Sequence, residues 1–411
     1  MWRNLQNSAI QVPWKVNSQN ALALPEIPSE SSRNYTSSLS EAKYYQICDG
    51  AAAFIAQAQK FAKIGKVDKA RKLYEQATKL CPQSAIVWHM FGLFLEQLTS
   101  DSGVVEADSM YRRALSVEPG YSRSIEALHR VAKQVDEVDR KLYERIARKH
   151  DALSRLPSND PLLRKASRES YYLHIYHTNA LEGNSFSLGE TRSVLDTGYV
   201  IPGKTVKEHN EVLGLHSALK YINSTLVTHD IELGLSEILE IHRRVLSFAD
   251  PDWAGRFRDS QVYIGGHVPP SPHNIEKEMT VFLRWLASDQ SSRLHPIEFA
   301  ALAHYWLVYI HPFEDGNGRT SRLLMNALLM RAGYPPVTIQ LSDRLEYYDM
   351  LRVANRGDVR PFVRFIARCT ERTLDRYIYL TRAASHSDYH DLDEDYTINQ
   401  SVLYLGSRFN V

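Results

Sequence analysis

At 411 residues the chain is long enough for two or three domains with sizeable cores. Its 49 lysines and arginines stand against 48 aspartates and glutamates, a net charge of +1. That balance excludes a global field drawing in nucleic acid or an anionic membrane. The most apolar stretches, 86–95 and 299–310, fall short of the roughly 18 residues of a membrane span, and the first residues lack the apolar core of a signal peptide. Cys48, Cys81 and Cys369 are far apart and odd in number. They carry neither a metal spacing nor a disulfide framework, and Cys81 and Cys369 read as small buried hydrophobes.

Residues 1–45 are rich in Ser, Asn and Gln and read as a disordered leader. Residues 46–121 carry a repeat. Ala58, Phe61, Gly65, Ala70, Tyr74, Ala77 and Pro82 follow the spacing of a tetratricopeptide unit over about 51–84. A second copy over 85–121 offers Trp88, Phe91, Gly92, Leu95, Ala107, Tyr111, Ala114 and Pro119. Two such units are fewer than the roughly three needed for a stable stack. The helical stripe Ile125, Leu128, Val131, Val135, Val138, Leu142, Ile146, Leu153 predicts a long linker helix within 122–160 that covers the open end. Pro157 to Pro161 terminates it.

From 161 to 383 the pattern is again helical: 162–180, 188–196, 206–225, 235–248, 275–287, 296–310, 320–332 and 345–380. One island differs. Gln261–Ile264 and His267–Pro270 are short extended runs about Gly265-Gly266, which predicts a β-hairpin. The tail 384–411 is polar, with an acidic run at 391–395, and reads as mobile. The fold class is therefore all-α, with one small hairpin.

The most informative stretch is His311-Pro-Phe-Glu-Asp-Gly-Asn-Gly-Arg319, followed by Thr320, Ser321 and Arg322. It joins two apolar helices, so it is a loop feeding a helix N-terminus. Gly316 and Gly318 let the backbone approach a ligand, and the free amides of a helix start favour phosphate. Arg319 and Arg322 can fork onto phosphate oxygens. Asp315 offers a hard oxygen for Mg²⁺, with Mn²⁺ as a substitute. His311 can take a proton near neutral pH. Such a set moves a phosphate-containing group onto a hydroxyl. Gly198–Thr205 also matches a P-loop string, but it lacks the preceding strand and reads as an inter-helix loop. His174 and His177 share a helix face without a third metal ligand.

The string His311–Arg319 resembles the Fic-domain signature without a departure. Thr178-Asn-Ala-Leu-Glu182-Gly183 resembles the inhibitory motif of the same family. Repeat pair, linker helix, inhibitory helix and a Fic core at about 237–372, in that order, resemble the animal endoplasmic-reticulum Fic type. Matching blocks are Ile201-Pro-Gly-Lys204, Glu240–Arg244, Ala254–Arg258, Asn355–Asp358 and Arg360–Phe362. No stretch of the chain reads as the membrane anchor that this type carries near its start, which implies either that the start is missing from this sequence or that the protein resides elsewhere. Asn223-Ser-Thr225 is a glycosylation sequon where the type has one.

The resemblance implies transfer of AMP from ATP to Ser or Thr hydroxyls of an Hsp70-type chaperone. It implies His311 as base, Asp315 holding Mg²⁺, and the 316–318 amides with Thr320, Ser321 and the two arginines around the phosphates. Ile264, Gly265, Gly266 and His267 would form a flap, and Tyr347, Tyr348 and Asn355 would meet adenine and ribose. Core packing is the other reading of the tyrosines. Glu182 would hold Arg322 away from ATP, and would serve removal of AMP from the same target. A homodimer with a contact near Val206, and residence in the endoplasmic reticulum, are implied too; the cytoplasm is the alternative. Two other functions stay open: a catalytically silent repeat scaffold, and a Fic core moving another phosphate-linked group.

Overall fold

The computed structural model describes residues 49–382, apart from 99 and 230; the predicted leader, the tail and Cys48 lie outside the described residues. Fifteen α-helices and a single isolated β-bridge make up this part of the chain. No helix among the described residues is long and apolar enough to cross a membrane.

Four helices open the described chain: α1 (Asp49–Lys63), α2 (Val67–Leu80), α3 (Ala85–Glu96) and α4 (Asp101–Val117). They pair into two hairpins because small and large residues alternate on the facing surfaces. Ala58, Ala70, Ala77 and Ala107 are fully buried, and Tyr74 stacks on Phe91 and Phe94 with ring centroids 5.5 and 5.0 Å away. A methyl group on Gly92 would lie 2.5 Å from the Tyr111 ring, so only glycine lets α3 approach α4 this closely. Ser100 caps α4 by accepting from Gly103 N–H at 3.0 Å.

The 33-residue α5 (Ser122–Ser154) lies within the span 122–160 predicted for the linker helix and ends before Pro157. Its first half closes the hairpins' core through Ala127, Leu128, Val131 and Val135. Its second half enters a larger core through Leu142, Tyr143, Ile146 and Leu153. The first core therefore runs past residue 121, where the repeat spacing ends, because α5 supplies its last layer.

The larger core gathers α6 (Pro161–Leu181), α7 (Leu188–Thr197), α8 (Val206–Tyr221), α9 (Leu235–Leu246), α10 (Ile275–Leu286), α11 (Asp289–Ser292), α12 (Pro296–Ile310), α13 (Asn317–Arg331), α14 (Arg344–Ala354) and α15 (Arg360–Arg382). At its centre lie α12 and α13; α12 is apolar on nearly all sides, as a buried helix is expected to be, whereas α13 also buries Asn317, Arg319, Thr320, Ser321, Arg322 and Asn326. Three boundaries differ from the sequence expectation. The helix predicted to reach 225 gives way at Ile222 to a π-helical turn, Ile222–Val227. The single run predicted over 345–380 is broken at Gly357, whose φ of 102° leaves helical space. The short α11 carries too few residues to show a period.

Buried ion pairs tie the two cores together. Asp108 of α4 meets Arg360 of α15 at 2.7 Å, and Asp139 of α5 meets Arg364 at 2.7 Å. Burial works to raise the Asp108 carboxyl, but Arg112 and Arg360 outweigh it and hold it at about 2. Cys81 is buried as expected but disulfide-bonded, which corrects the expectation that the cysteines carry no disulfide; Cys369 is free and buried.

Candidate active site

Alpha-12 ends at the histidine of the signature because Pro312 cannot continue a helix. His311 itself adopts the left-handed conformation, φ 49° and ψ 60°, and no other non-glycine described residue has positive φ. That costs roughly 1–2 kcal/mol for an L-residue, so something must hold it. Arg258 Nε donates to the His311 carbonyl at 2.8 Å. The imidazole Nδ1 lies 3.2 Å from Val308 O, and donating there fixes the tautomer that leaves Nε2 as a lone pair. Burial lowers the imidazole to about 4, with Arg258 and His267 pushing the same way, so the ring is neutral at pH 7.

Residues 312–316 form a rigid loop. Asn317 accepts from Phe313 N–H at 2.9 Å and donates to Phe313 O at 2.8 Å, a double lock by one buried amide. The Phe313 ring stacks on His242, centroids 3.6 Å apart. His242 Nδ1 accepts from Gly255 N–H at 3.0 Å, which leaves Nε2–H to donate to Asp315 O at 2.9 Å. Gly316, at φ 78°, caps α13, and a methyl group there would lie 3.2 Å from His242 Nε2. The first helical amides, Asn317, Gly318 and Arg319, donate to no backbone or side-chain acceptor among the described residues. They make an anion-binding helix N-terminus. The amide of Gly316, predicted to join them, is taken by Asp315 Oδ1 at 2.6 Å.

Glu182 follows the last residue of α6 as its C-cap. Its Oε1 accepts from Arg322 Nη2 at 2.5 Å. The same oxygen would lie 2.4 Å from a methyl group on Gly318, so the carboxylate rests directly on the start of α13. Arg322 is almost wholly enclosed (1% exposed) and Glu182 is 33% exposed. Arg322 Nη2 also donates to Thr178 O at 3.0 Å, while Nε and Nη1 are buried with no partner among the described residues. Burial works to lower the guanidinium, but Glu182 outweighs it and Arg322 stays charged. The hydroxyls of Thr320 and Ser321 are likewise buried without a partner among the described residues.

The remaining predicted site residues fall less evenly. Arg319 turns inward, to Asp315 at 3.1 Å and Glu211 at 3.8 Å, and braces the loop. Burial would raise the Asp315 carboxyl, but Arg319 and the Gly316 amide keep it below the usual carboxylate range. No group of three or more His, Cys, Asp or Glu among the described residues could hold a metal by itself. The predicted hairpin reduces to one bridge, Ile264 with His267, across Gly265 and Gly266 at φ 52° and 85°. His267 Nε2 lies 2.9 Å from Tyr309 O, pinning the turn to the end of α12. Tyr347 is 2% exposed and its hydroxyl meets His304, so the core-packing reading describes it; Arg322 lies over its ring at 6.0 Å. Tyr348 is half-buried, with its hydroxyl 3.4 Å from Leu181 O. Asn355 lines a separate cleft of about 1200 Å³ between α4, α5 and the α14–α15 junction, which none of residues 311–322 lines. His177 Nδ1 accepts from Leu341 N–H, and His174 is buried. Sequence reasoning placed Arg258 and His242 in family-matching blocks but gave them no role, because their hydrogen-bond partners are backbone groups.

Residues 232–329 match the Fic/DOC family. The chain is 52% identical over 323 residues to the protein adenylyltransferase Fic of Aedes aegypti, which covers 79% of this chain and 64% of that one. It is 50% identical over 317 residues to the protein of that name from Nematostella vectensis, covering 77% and 73%. The chain thus spans less than two thirds of the length of the mosquito relatives it matches. Among solved structures, Fic-1 of C. elegans superposes with a TM-score of 0.74 at 40% identity, over 82% of this chain and all of that one. A Fic-domain signaling protein of Bacteroides thetaiotaomicron gives 0.53 at 28% identity, over 59% and 97%.

Proposed function

The chain belongs to the Fic/DOC family, and from that premise we propose that it transfers AMP from ATP to a Ser or Thr hydroxyl of a protein target, is held back by Glu182, and also removes AMP from the modified target. The observation that carries this is the double placement of Glu182, on Arg322 and against Gly318. A carboxylate stands where the anion-binding helix start would receive phosphate. ATP must displace it or bind beside it. Bound beside it, the triphosphate is repelled and its α-phosphorus sits out of line. A misplacement of about 1 Å can cost roughly a hundredfold in rate.

With Glu182 out of the way, the amides of Asn317, Gly318 and Arg319 cradle phosphate oxygens and Arg322 turns its unpartnered donors to the γ-phosphate. His311 Nε2 takes the proton of the target hydroxyl as its oxygen attacks the α-phosphorus. The bond to pyrophosphate breaks, and AMP remains esterified to the target. The turn 261–270 aligns the target backbone by adding an extended segment. Asp315 Oδ1 is occupied, which leaves Oδ2 as the hard oxygen for one cation. That fits Mg²⁺, which takes one or two carboxylates and otherwise phosphates and water. Bound there, it would neutralise phosphate charge. In the reverse duty, Glu182 takes a proton from the water that attacks the phosphodiester, the bond from phosphorus to the target oxygen breaks and AMP leaves, and that oxygen takes its proton from His311 Nε2, which must first have gained one from solvent.

The target is an Hsp70-type chaperone by family likeness, and the repeats are the recruiting surface. An endoplasmic-reticulum location is supported by the disulfide at Cys81, which needs an oxidising compartment, and by the exposed sequon at Asn223. Tyr199 and Val200 in the loop before α8, and Val206 at its first residue, stand 75%, 71% and 71% exposed, apolar side chains suited to a homodimer contact. Intact-mass spectrometry of a purified Hsp70-type chaperone with ATP tests the proposal. Glu182→Gly should add one AMP where wild type adds little, and His311→Ala should add none. An unmodified chaperone with Glu182→Gly would sink it, and competition by UTP or CDP-choline against labelled ATP identifies a different transferred group.

A further inference from the structure

Arg258 is 2% exposed, yet it meets no carboxylate among the described residues. Each of its three side-chain nitrogens donates to a neutral backbone carbonyl. Nε donates to His311 O at 2.8 Å, Nη1 to Ser260 O at 2.6 Å and Nη2 to Pro270 O at 2.6 Å. Its own backbone N–H donates to Pro312 O at 2.9 Å. A buried cation bonded only to carbonyls is an expensive way to hold a chain together. What it holds is specific: both ends of the 261–270 turn and the carbonyl of the left-handed histidine.

Neither part is secure alone. The turn has one β-bridge of its own, Ile264 with His267. Its other restraints are Gln261 Nε2 on Pro269 O at 3.1 Å and His267 on Tyr309 O. His311 sits in strained backbone space. Resting on the AMP-transfer reading above, we propose that Arg258 is a positioning residue that couples the flap to the base. Through its three carbonyls, a target strand laid along 261–270 is registered against His311 Nε2. A lysine cannot reproduce this, because an ammonium is a point charge without the planar fork that meets three carbonyls at once.

The test compares Arg258→Lys with its parent, both carrying Glu182→Gly. ATP affinity by calorimetry should stay within about twofold, since Arg258 touches none of the phosphate cradle. The kcat for AMP transfer should fall roughly a hundredfold and KM for the protein target should rise. A merely structural role would lower melting temperature and ATP affinity together and leave kcat per folded molecule intact. Hydrogen exchange gives the second readout. In the protein without either substitution, the amides of Arg258, Ile264, His267 and Phe313 should open with one common free energy, and in Arg258→Lys they should lose protection together.

Unchanged kcat in Arg258→Lys, or separate opening free energies for the flap and the 311–314 loop, overturns the proposal. Exchange in the unsubstituted protein decides the matter even if Arg258→Lys does not fold. If the Glu182→Gly parent transfers no AMP, the functional reading has failed, and exchange still reports on the coupling.

Discussion

Replacing Glu182 by glycine removes the carboxylate that meets Arg322 Nη2 at 2.5 Å. Breaking a fully buried pair costs about 3–5 kcal/mol because the surviving charge is left uncompensated. Here the figure is smaller. Glu182 is 33% exposed, so solvent screens the pair, and Arg322 keeps its bond to Thr178 O. The discounted cost is about 1–2 kcal/mol. At roughly 2–4 °C per kcal/mol for a unit of this size, the melting temperature of Glu182→Gly without nucleotide should fall by some 2–8 °C. ATP then supplies the anion that Arg322 has lost. Calorimetric melting with and without ATP and Mg²⁺ should therefore show a larger ATP-induced rise in Glu182→Gly than in wild type. Equal rises, or a nucleotide-free variant as stable as wild type, would mean that Arg322 does not depend on Glu182 for its compensation.

His311→Ala should lower AMP transfer by about 10²–10⁴ while leaving ATP binding, read by calorimetry, unchanged. Because burial holds the imidazole at about 4 rather than 6.5, it is already the free base at neutral pH. The kcat/KM of Glu182→Gly for its protein target should then show no acid limb near 6.5, and should decline only as pH falls toward about 4; a limb near 6.5 would mean that the ring is solvated. Asp139→Asn strands Arg364, whose two bonds to it are 2.7 and 2.8 Å, and should cost roughly 3–5 kcal/mol in denaturant unfolding.

Much of this site was legible in the sequence because its chemistry is local. Residues 311–322 carry loop, glycines, acid and cations within a few positions, and the helices on either side have strong apolar patterns. Glu182 was legible only through family likeness, since its partner lies 140 positions away. Arg258 and His242 fell inside family-matching blocks, yet their roles were not legible for a related reason. Their acceptors and donors are backbone groups, which any sequence supplies, so no residue type marks them. For Arg319 composition and fold point apart: an arginine at a helix start suggests phosphate, while in the fold Asp315 and Glu211 draw it inward. The broken helix at Gly357 is a single positive-φ glycine inside a continuous apolar period, and a period cannot register a conformation.

Competition for one guanidinium is tested most directly by a double-mutant cycle on ATP affinity with Glu182→Gly, Arg322→Ala and the pair of substitutions together. Removing Glu182 should tighten ATP about tenfold or more when Arg322 is present, close to 1.4 kcal/mol, and far less when Arg322 is absent. Equal tightening in both backgrounds would contradict the competition, because Glu182 would then act on the nucleotide without passing through Arg322.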